Sequence, residues 1–200
     1  MSNDGVNKSR RMILTGLTST VSAVGLGYAA VPFVKSWVPS ARAKAAGAPV
    51  TANIGKIEPG QMITVEWRGK PVYILRRTEE ALENLVAGRR FLSDPDSEED
   101  QQPAYVSGDA RAIDGHREYL ILVGLCTHLG CAPTFRPEVG AQDLGGDSWF
   151  GGFFCPCHGS KFDLSGRVYV GVPAPVNLEV PPYRFESESI IVIGEDQETI

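Results

Sequence analysis

The sequence predicts an all-β head carried on a single N-terminal transmembrane helix. Three observations do so: an uncharged run from Met12 to Val34, short apolar segments separated by turn residues from residue 62 onward, and a charge that reverses between the two parts. Residues 1–49 hold six basic groups (Lys8, Arg10, Arg11, Lys35, Arg42, Lys44) and one acid, Asp4, a balance of +5. Residues 50–200 hold 13 basic against 23 acidic groups, a balance of −10. With 42% hydrophobic and 22% charged residues the chain can bury a core, which excludes wholesale disorder and a polytopic membrane protein. Its 200 residues allow one domain with an appendage and exclude a multidomain enzyme. A net charge of −5 argues against nucleic acid as a partner, because phosphate binding is carried by clustered Lys and Arg.

Taken in order, residues 12–34 form a run of about 34 Å as a helix, enough to cross a hydrocarbon core of about 30 Å. Arg10 and Arg11 flank its N-terminal edge, with Lys8 just before, and basic residues beside a span stay cytoplasmic. Residues 1–11 are therefore expected in the cytoplasm and the head outside it. Ser9-Arg10-Arg11-Met12-Ile13-Leu14 also resembles a twin-arginine export signal, with Thr15 where a Lys is often found. The competing reading is a cleaved signal peptide, for which Ala41-Arg42-Ala43 and Ala43-Lys44-Ala45 are formal sites, but the run is longer than the usual signal core. Residues 35–50 are rich in Ala, Gly and Pro and read as a hinge linker, helical or flexible.

Met62–Trp67 and Pro71–Leu75 flank Arg68-Gly69-Lys70 as a hairpin. Thr78 to Gly88 reads as a short helix with Thr78 as its cap. The acidic run 94–100 reads as a solvated loop. Tyr119–Val123 is a buried strand by its unbroken apolar run, and further strands are expected at 149–154, 167–170 and 189–194, a spacing that suits a sandwich or barrel.

All four cysteines and two of the three histidines fall into two boxes, Cys126-Thr127-His128-Leu129-Gly130-Cys131 and Cys155-Pro156-Cys157-His158-Gly159-Ser160. Six soft or borderline donors in two clusters mark a metal site for zinc, copper or an iron–sulfur centre. Two disulfides leave the histidines unexplained, and a structural zinc site needs only four ligands. His116 stands alone and is expected in a surface loop.

The two boxes, with Val172-Pro173-Ala174-Pro175 and Asn177-Leu178-Glu179-Val180-Pro181, closely resemble the Rieske iron–sulfur subunit of quinol:cytochrome c oxidoreductase, the cytochrome bc complex. The resemblance covers anchor, linker and head. It implies a Rieske-type head of residues 51–200, a β-sandwich with a small cluster-binding rubredoxin-like subdomain at about 124–180. The implied cofactor is one [2Fe-2S] cluster, with Cys126 and Cys155 similar to the thiolate ligands of one iron and His128 and His158 to the imidazole ligands of the other. Cys131 and Cys157 correspond to the family's disulfide. His158 is implied as the group that meets quinol, Leu129 as the residue that shields the cluster at the quinol pocket, and Ser160 as a hydrogen-bond donor to cluster sulfur. Many high-potential relatives place a Tyr two residues beyond that serine, where this chain has Phe162, which implies a lower potential.

Neutral imidazoles in place of thiolates leave such a cluster less negative and raise its potential to about −150 to +300 mV, within reach of quinol oxidation. The implied partners are cytochrome b, a membrane-anchored c-type cytochrome, quinol and membrane lipid, within a dimeric complex of the bacterial inner membrane whose head lies in the periplasm. Other readings are the Rieske subunit of a periplasmic molybdenum oxidase such as arsenite oxidase, a Rieske ferredoxin or oxygenase component, and a zinc-binding module. Phe135, Trp149, Phe150, Phe153 and Phe154 suit either a wall around the cluster or ordinary core.

Overall fold

Residues 1–45 and 46–200 form two separate units in the computed structural model, which describes residue 5, residues 7–99 and residues 101–196, and all their side chains but those of 42 and 46. Residues 1–4 and 6 of the cytoplasmic segment, Asp100 of the acidic run and the last residues of the head lie outside the described residues.

In the first unit the uncharged run sits within a longer helix, α1 (Lys8–Ser36), so the helix already includes the arginine pair. Asn7 caps it, its Oδ1 accepting from Arg10 N at 3.1 Å, because the first turn of a helix leaves N–H groups without intrahelical partners. Thr15, Thr18 and Thr20 donate their hydroxyls to carbonyls one turn back, which removes the cost of carrying them in an apolar segment. Leu17, Val21, Val24 and Leu26 are exposed, and α1 is long and apolar enough to cross a membrane. A second helix, α2 (Ala41–Ala46), follows, so the 35–50 segment is one of short pieces: the end of α1, this helix, and the first strand, which begins at Val50.

Among the described residues the head has nine short strands in three antiparallel sheets of three. β1 (Val50–Asn53), β9 (Ile190–Ile193) and β8 (Tyr183–Ser187) form one sheet in that order. β2 (Met62–Trp67), β3 (Lys70–Arg76) and β4 (Tyr119–Val123) form the second. The turn between β2 and β3 is a two-residue one, with Trp67 opposite Lys70 and positive φ at both Arg68 and Gly69, the conformation that matches strand twist. β3 and β4 are buried on both faces, as their unbroken apolar runs require. Val72, Ile74, Leu120 and Leu122 share one core with Ile191 and Ile193 of the first sheet. The helix α3 (Glu79–Ala87) is capped by Thr78, whose Oγ1 accepts from Ala81 N at 3.1 Å.

The third sheet is β5 (Thr134–Arg136), β6 (Gly152–Phe154) and β7 (Lys161–Asp163). Two expectations fail around it. The strand expected at 149–154 is confined to 152–154, because Gly151 turns at φ +84° and Trp149 packs into a second small core with Leu92, Leu144 and Tyr169. The strand expected at 167–170 does not form: Val168 and Tyr169 make single bridges to Phe162 and Leu92, and the Val168 N–H goes to a side chain, Asn177 Oδ1, so no ladder can propagate.

Candidate metal centre

Both boxes are loops hung on strand ends. Cys126-Thr127-His128-Leu129-Gly130-Cys131 follows β4, and Cys155 to Ser160 is the whole connection between β6 and β7. They fold alike. In the first, Cys126 N donates to Cys131 O at 2.8 Å and Gly130 N to Cys126 O at 2.8 Å. In the second, Cys155 N donates to Ser160 O at 2.8 Å and Gly159 N to Cys155 O at 3.0 Å. Each loop closes on itself only because its fifth residue adopts φ of +79° (Gly130) or +78° (Gly159), a region costly for any side chain. The entry to the first loop is equally specific: a Cβ on Gly124 would lie 2.4 Å from the Tyr73 ring, whose hydroxyl donates to Pro133 O at 3.0 Å.

The loops bring the donors together at one end of the head. A disulfide joins Cys131 to Cys157, and the two free cysteines, Cys126 and Cys155, are buried. The sulfurs of Cys131, Cys155 and Cys157 lie within 4.8 Å of one another, but two of them are consumed in the disulfide, which leaves Cys155 and Cys126 as thiol donors. His128 and His158 sit side by side with ring centroids 4.9 Å apart and planes nearly perpendicular; His158 is exposed and His128 half-buried. Burial pushes the Cys126 thiol above its ordinary pKa and the neighbouring Cys155 adds to the rise, whereas the His128 N–H and the Ser160 hydroxyl favour the thiolate. Two buried thiols and two neighbouring imidazoles on loops joined by the disulfide, with hydrogen-bond donors at the Cys126 sulfur, fit a [2Fe-2S] group bound by two cysteines and two histidines.

Ser160 is fully buried, and its Oγ accepts from Ala174 N at 3.0 Å, leaving its proton free to point toward Cys126. Leu129 is 71% exposed, so it is not part of the core. Phe162 is fully buried in the same core as both free cysteines and offers no hydroxyl there. The aromatic residues between the boxes divide. Phe153 stacks on Tyr73 and touches Phe135 in the main core, whereas Trp149, half-buried Phe154 and Phe150, which stacks on Phe91, belong to the periphery and the second core. His116 stacks on Phe185 with centroids 3.8 Å apart, in a turn before β4 and apart from the boxes.

Sequence reasoning missed the buried polar framework behind the loops. Arg77, Arg111 and Arg167 are buried, and burial lowers the first two to pKa values of about 10. Arg77 donates to Ala110 O, Leu164 O and Ser165 Oγ, and Arg111 to Ser165 O and Leu178 O. Arg167 pairs with Asp163 and Asp109. A lone Arg in a loop or at a strand end carries no sequence mark of burial, so no local pattern could have found these residues.

Residues 92–183 match the family described as the Rieske [2Fe-2S] domain, and residues 1–40 match the TAT signal of the ubiquinol-cytochrome c reductase Fe-S subunit. This match and the site's donor set define the class: a Rieske-type [2Fe-2S] electron-transfer protein. The chain is 55% identical to the ubiquinol-cytochrome c reductase iron-sulfur subunit of Allochromatium vinosum, over 98% of this chain and 94% of that one. It is 42% identical to the subunit of the same name from Bradyrhizobium diazoefficiens, over 93% of this chain and 94% of that one. A solved structure titled Hyperthermophilic respiratory Complex III is 26% identical, with a TM-score of 0.48, covering 90% of this chain and 98% of that one. The protein belongs to the family of ubiquinol-cytochrome c reductase iron-sulfur subunits.

Proposed function

We propose that Cys126 and Cys155 would hold one iron of the cluster and His128 and His158 the other, and that the head takes one electron from quinol, the second going to cytochrome b, and passes it to a c-type cytochrome. When bound, the cluster supplies a one-electron couple at high potential. The protein supplies the rest. The buried cysteines keep their sulfur from water, and the His128 N–H and Ser160 hydroxyl stabilise negative charge on Cys126 sulfur. The exposed His158 imidazole accepts the quinol hydroxyl as a hydrogen-bond partner and takes its proton on the nitrogen not used for iron. Exposed Leu129, beside His128 in the chain, packs against the apolar wall of the quinol pocket and excludes water from it.

The observation that carries this reading is the pairing of two buried thiols with two imidazoles at one accessible end of the head. The α1 helix anchors the head in the bacterial inner membrane with Arg10 and Arg11 cytoplasmic and the head periplasmic. Residues 35–50 give it reach between cytochrome b and the c-type cytochrome of a dimeric complex. Replacing His128 or His158 by Asn in the assembled complex is expected to abolish the Rieske EPR signal and quinol-dependent cytochrome c reduction together. Turnover that survives either change contradicts the ligand assignment.

A further inference from the structure

Asn177, two residues after the proline-rich segment 172–175, carries a fully buried side-chain amide. Its Oδ1 accepts from Val168 N at 2.8 Å, and its Nδ2 donates to Asp94 O and Ser97 Oγ, each at 3.0 Å, with Asp94 Oδ2 at 3.4 Å. One residue earlier, Val176 O accepts the Thr127 hydroxyl at 2.7 Å, and Thr127 stands between Cys126 and His128. Three residues earlier, Ala174 N donates to Ser160 Oγ, the last residue of the second box. Asp96, Glu98 and Glu99 of the acidic run are exposed, as a solvated loop requires, but Asp94 turns inward. The Asp94 carboxylate accepts from Glu98 N at 2.9 Å and Glu99 N at 3.3 Å, and Arg167 Nη1 donates to Pro95 O at 3.1 Å.

We propose that Asn177, gripped by the Asp94–Ser97 turn, is a positioning residue that fixes the proline-rich segment against both boxes and so tunes the cluster. The inference rests on the ligand reading given above. Its physical route is short. Pro175 restricts the chain between Ala174 and Asn177, so a fixed Asn177 places both the Ala174 N–H and the Val176 carbonyl. The Ala174 N–H polarises the Ser160 hydroxyl, which makes it a stronger donor toward Cys126, and donors to sulfur raise the potential. Loosening Asn177 weakens that donor and lets the Thr127 turn, and His128 with it, sample more orientations.

The test uses the assembled complex in membranes, with Asn177→Ala, Ser97→Ala, and a Glu98→Gln/Glu99→Gln control that removes charge but keeps the backbone donors to Asp94. Midpoint potential, EPR line shape and hydrogen exchange at the Ala174 amide are measured well below the melting temperature. A fall in potential, a broadened signal and faster Ala174 exchange in both alanine variants, with the control unchanged, support the proposal; the shift is smaller for Ser97→Ala. An unchanged potential and line shape in both alanine variants overturns it, even if melting temperatures drop, because a purely structural residue would behave so. An equal fall in the control overturns it by reassigning the effect to charge. Should Asn177→Ala not assemble, Ser97→Ala alone decides. Absence of a Rieske signal in the unsubstituted protein is a different failure: it removes the ligand reading, and the inference with it.

Discussion

Cys131, in the loop after β4, is disulfide-bonded to Cys157, in the loop between β6 and β7, 26 residues further along the chain. The bond ties together the two loops that hold the donor groups and removes, as thiols, two sulfurs that lie within 4.8 Å of Cys155. Replacing both cysteines by Ala is expected to lower the stability of the head by about 3 kcal/mol, the scale for a closed loop of this length. Thermal melting and the Rieske EPR signal together check it: a lower melting temperature with a weakened signal is expected, and an unaltered signal at unaltered stability contradicts the role.

Phe162→Tyr is expected to raise the midpoint potential. The ring is buried in the core that contains Cys126 and Cys155, so a hydroxyl there is shielded from water and must find its partner inside that core. A redox titration reads the effect, with about 59 mV equal to tenfold in a one-electron equilibrium. No change, or a fall, refutes it.

Gly124→Ala forces a Cβ to 2.4 Å from the Tyr73 ring, which is held by its own hydrogen bond to Pro133 O. A loss of about 1–3 kcal/mol is expected, the usual cost of overpacking. Because Gly124 leads into the first box, cluster content of the purified protein is expected to fall with it. Full cluster content and a wild-type melting temperature would show that the ring moves freely.

Stability at low pH depends on Asp109. Burial alone would raise its pKa, but Arg167 and Arg89 outweigh burial and hold the carboxylate below its ordinary range. A depressed native pKa means stability fully present above about pH 4 and lost as pH falls through the native value. Asp109→Asn is expected to cost about 2 kcal/mol at neutral pH, since Arg167 keeps Asp163 as a partner, and to flatten the acid limb of stability. Equal acid sensitivity in the variant and the parent protein refutes this.

Local pattern revealed what local pattern controls. Strands β2, β3, β4 and β9, the capped helix α3 and the apolar run inside α1 follow from period, caps and turn residues over a few neighbours. The boxes were legible because six donors are concentrated in two six-residue segments, and the structure brings them to one place. Short strands such as β5 and β7, three residues each, are set by pairing with β6 and carry too few residues to show a period. The expected 167–170 strand failed because the demand of Asn177 on the Val168 N–H comes from nine residues away. Within the acidic run, Asp96, Glu98 and Glu99 are exposed as the charge pattern implies, and only Asp94 departs from it, spending its carboxylate on the Glu98 and Glu99 N–H groups and its carbonyl on Asn177.

The most direct test of the central claim is a low-temperature EPR spectrum of ascorbate-reduced membranes that contain this protein, with and without an inhibitor of the quinol site. Ascorbate is too weak a reductant for a low-potential all-thiolate cluster, so a signal selects for histidine ligation. A Rieske-type signal that shifts when the inhibitor binds is predicted, since exposed His158 would meet the occupant of that pocket. A signal indifferent to the inhibitor contradicts the role of His158 at quinol, and zinc in place of iron with no signal contradicts the cluster assignment itself.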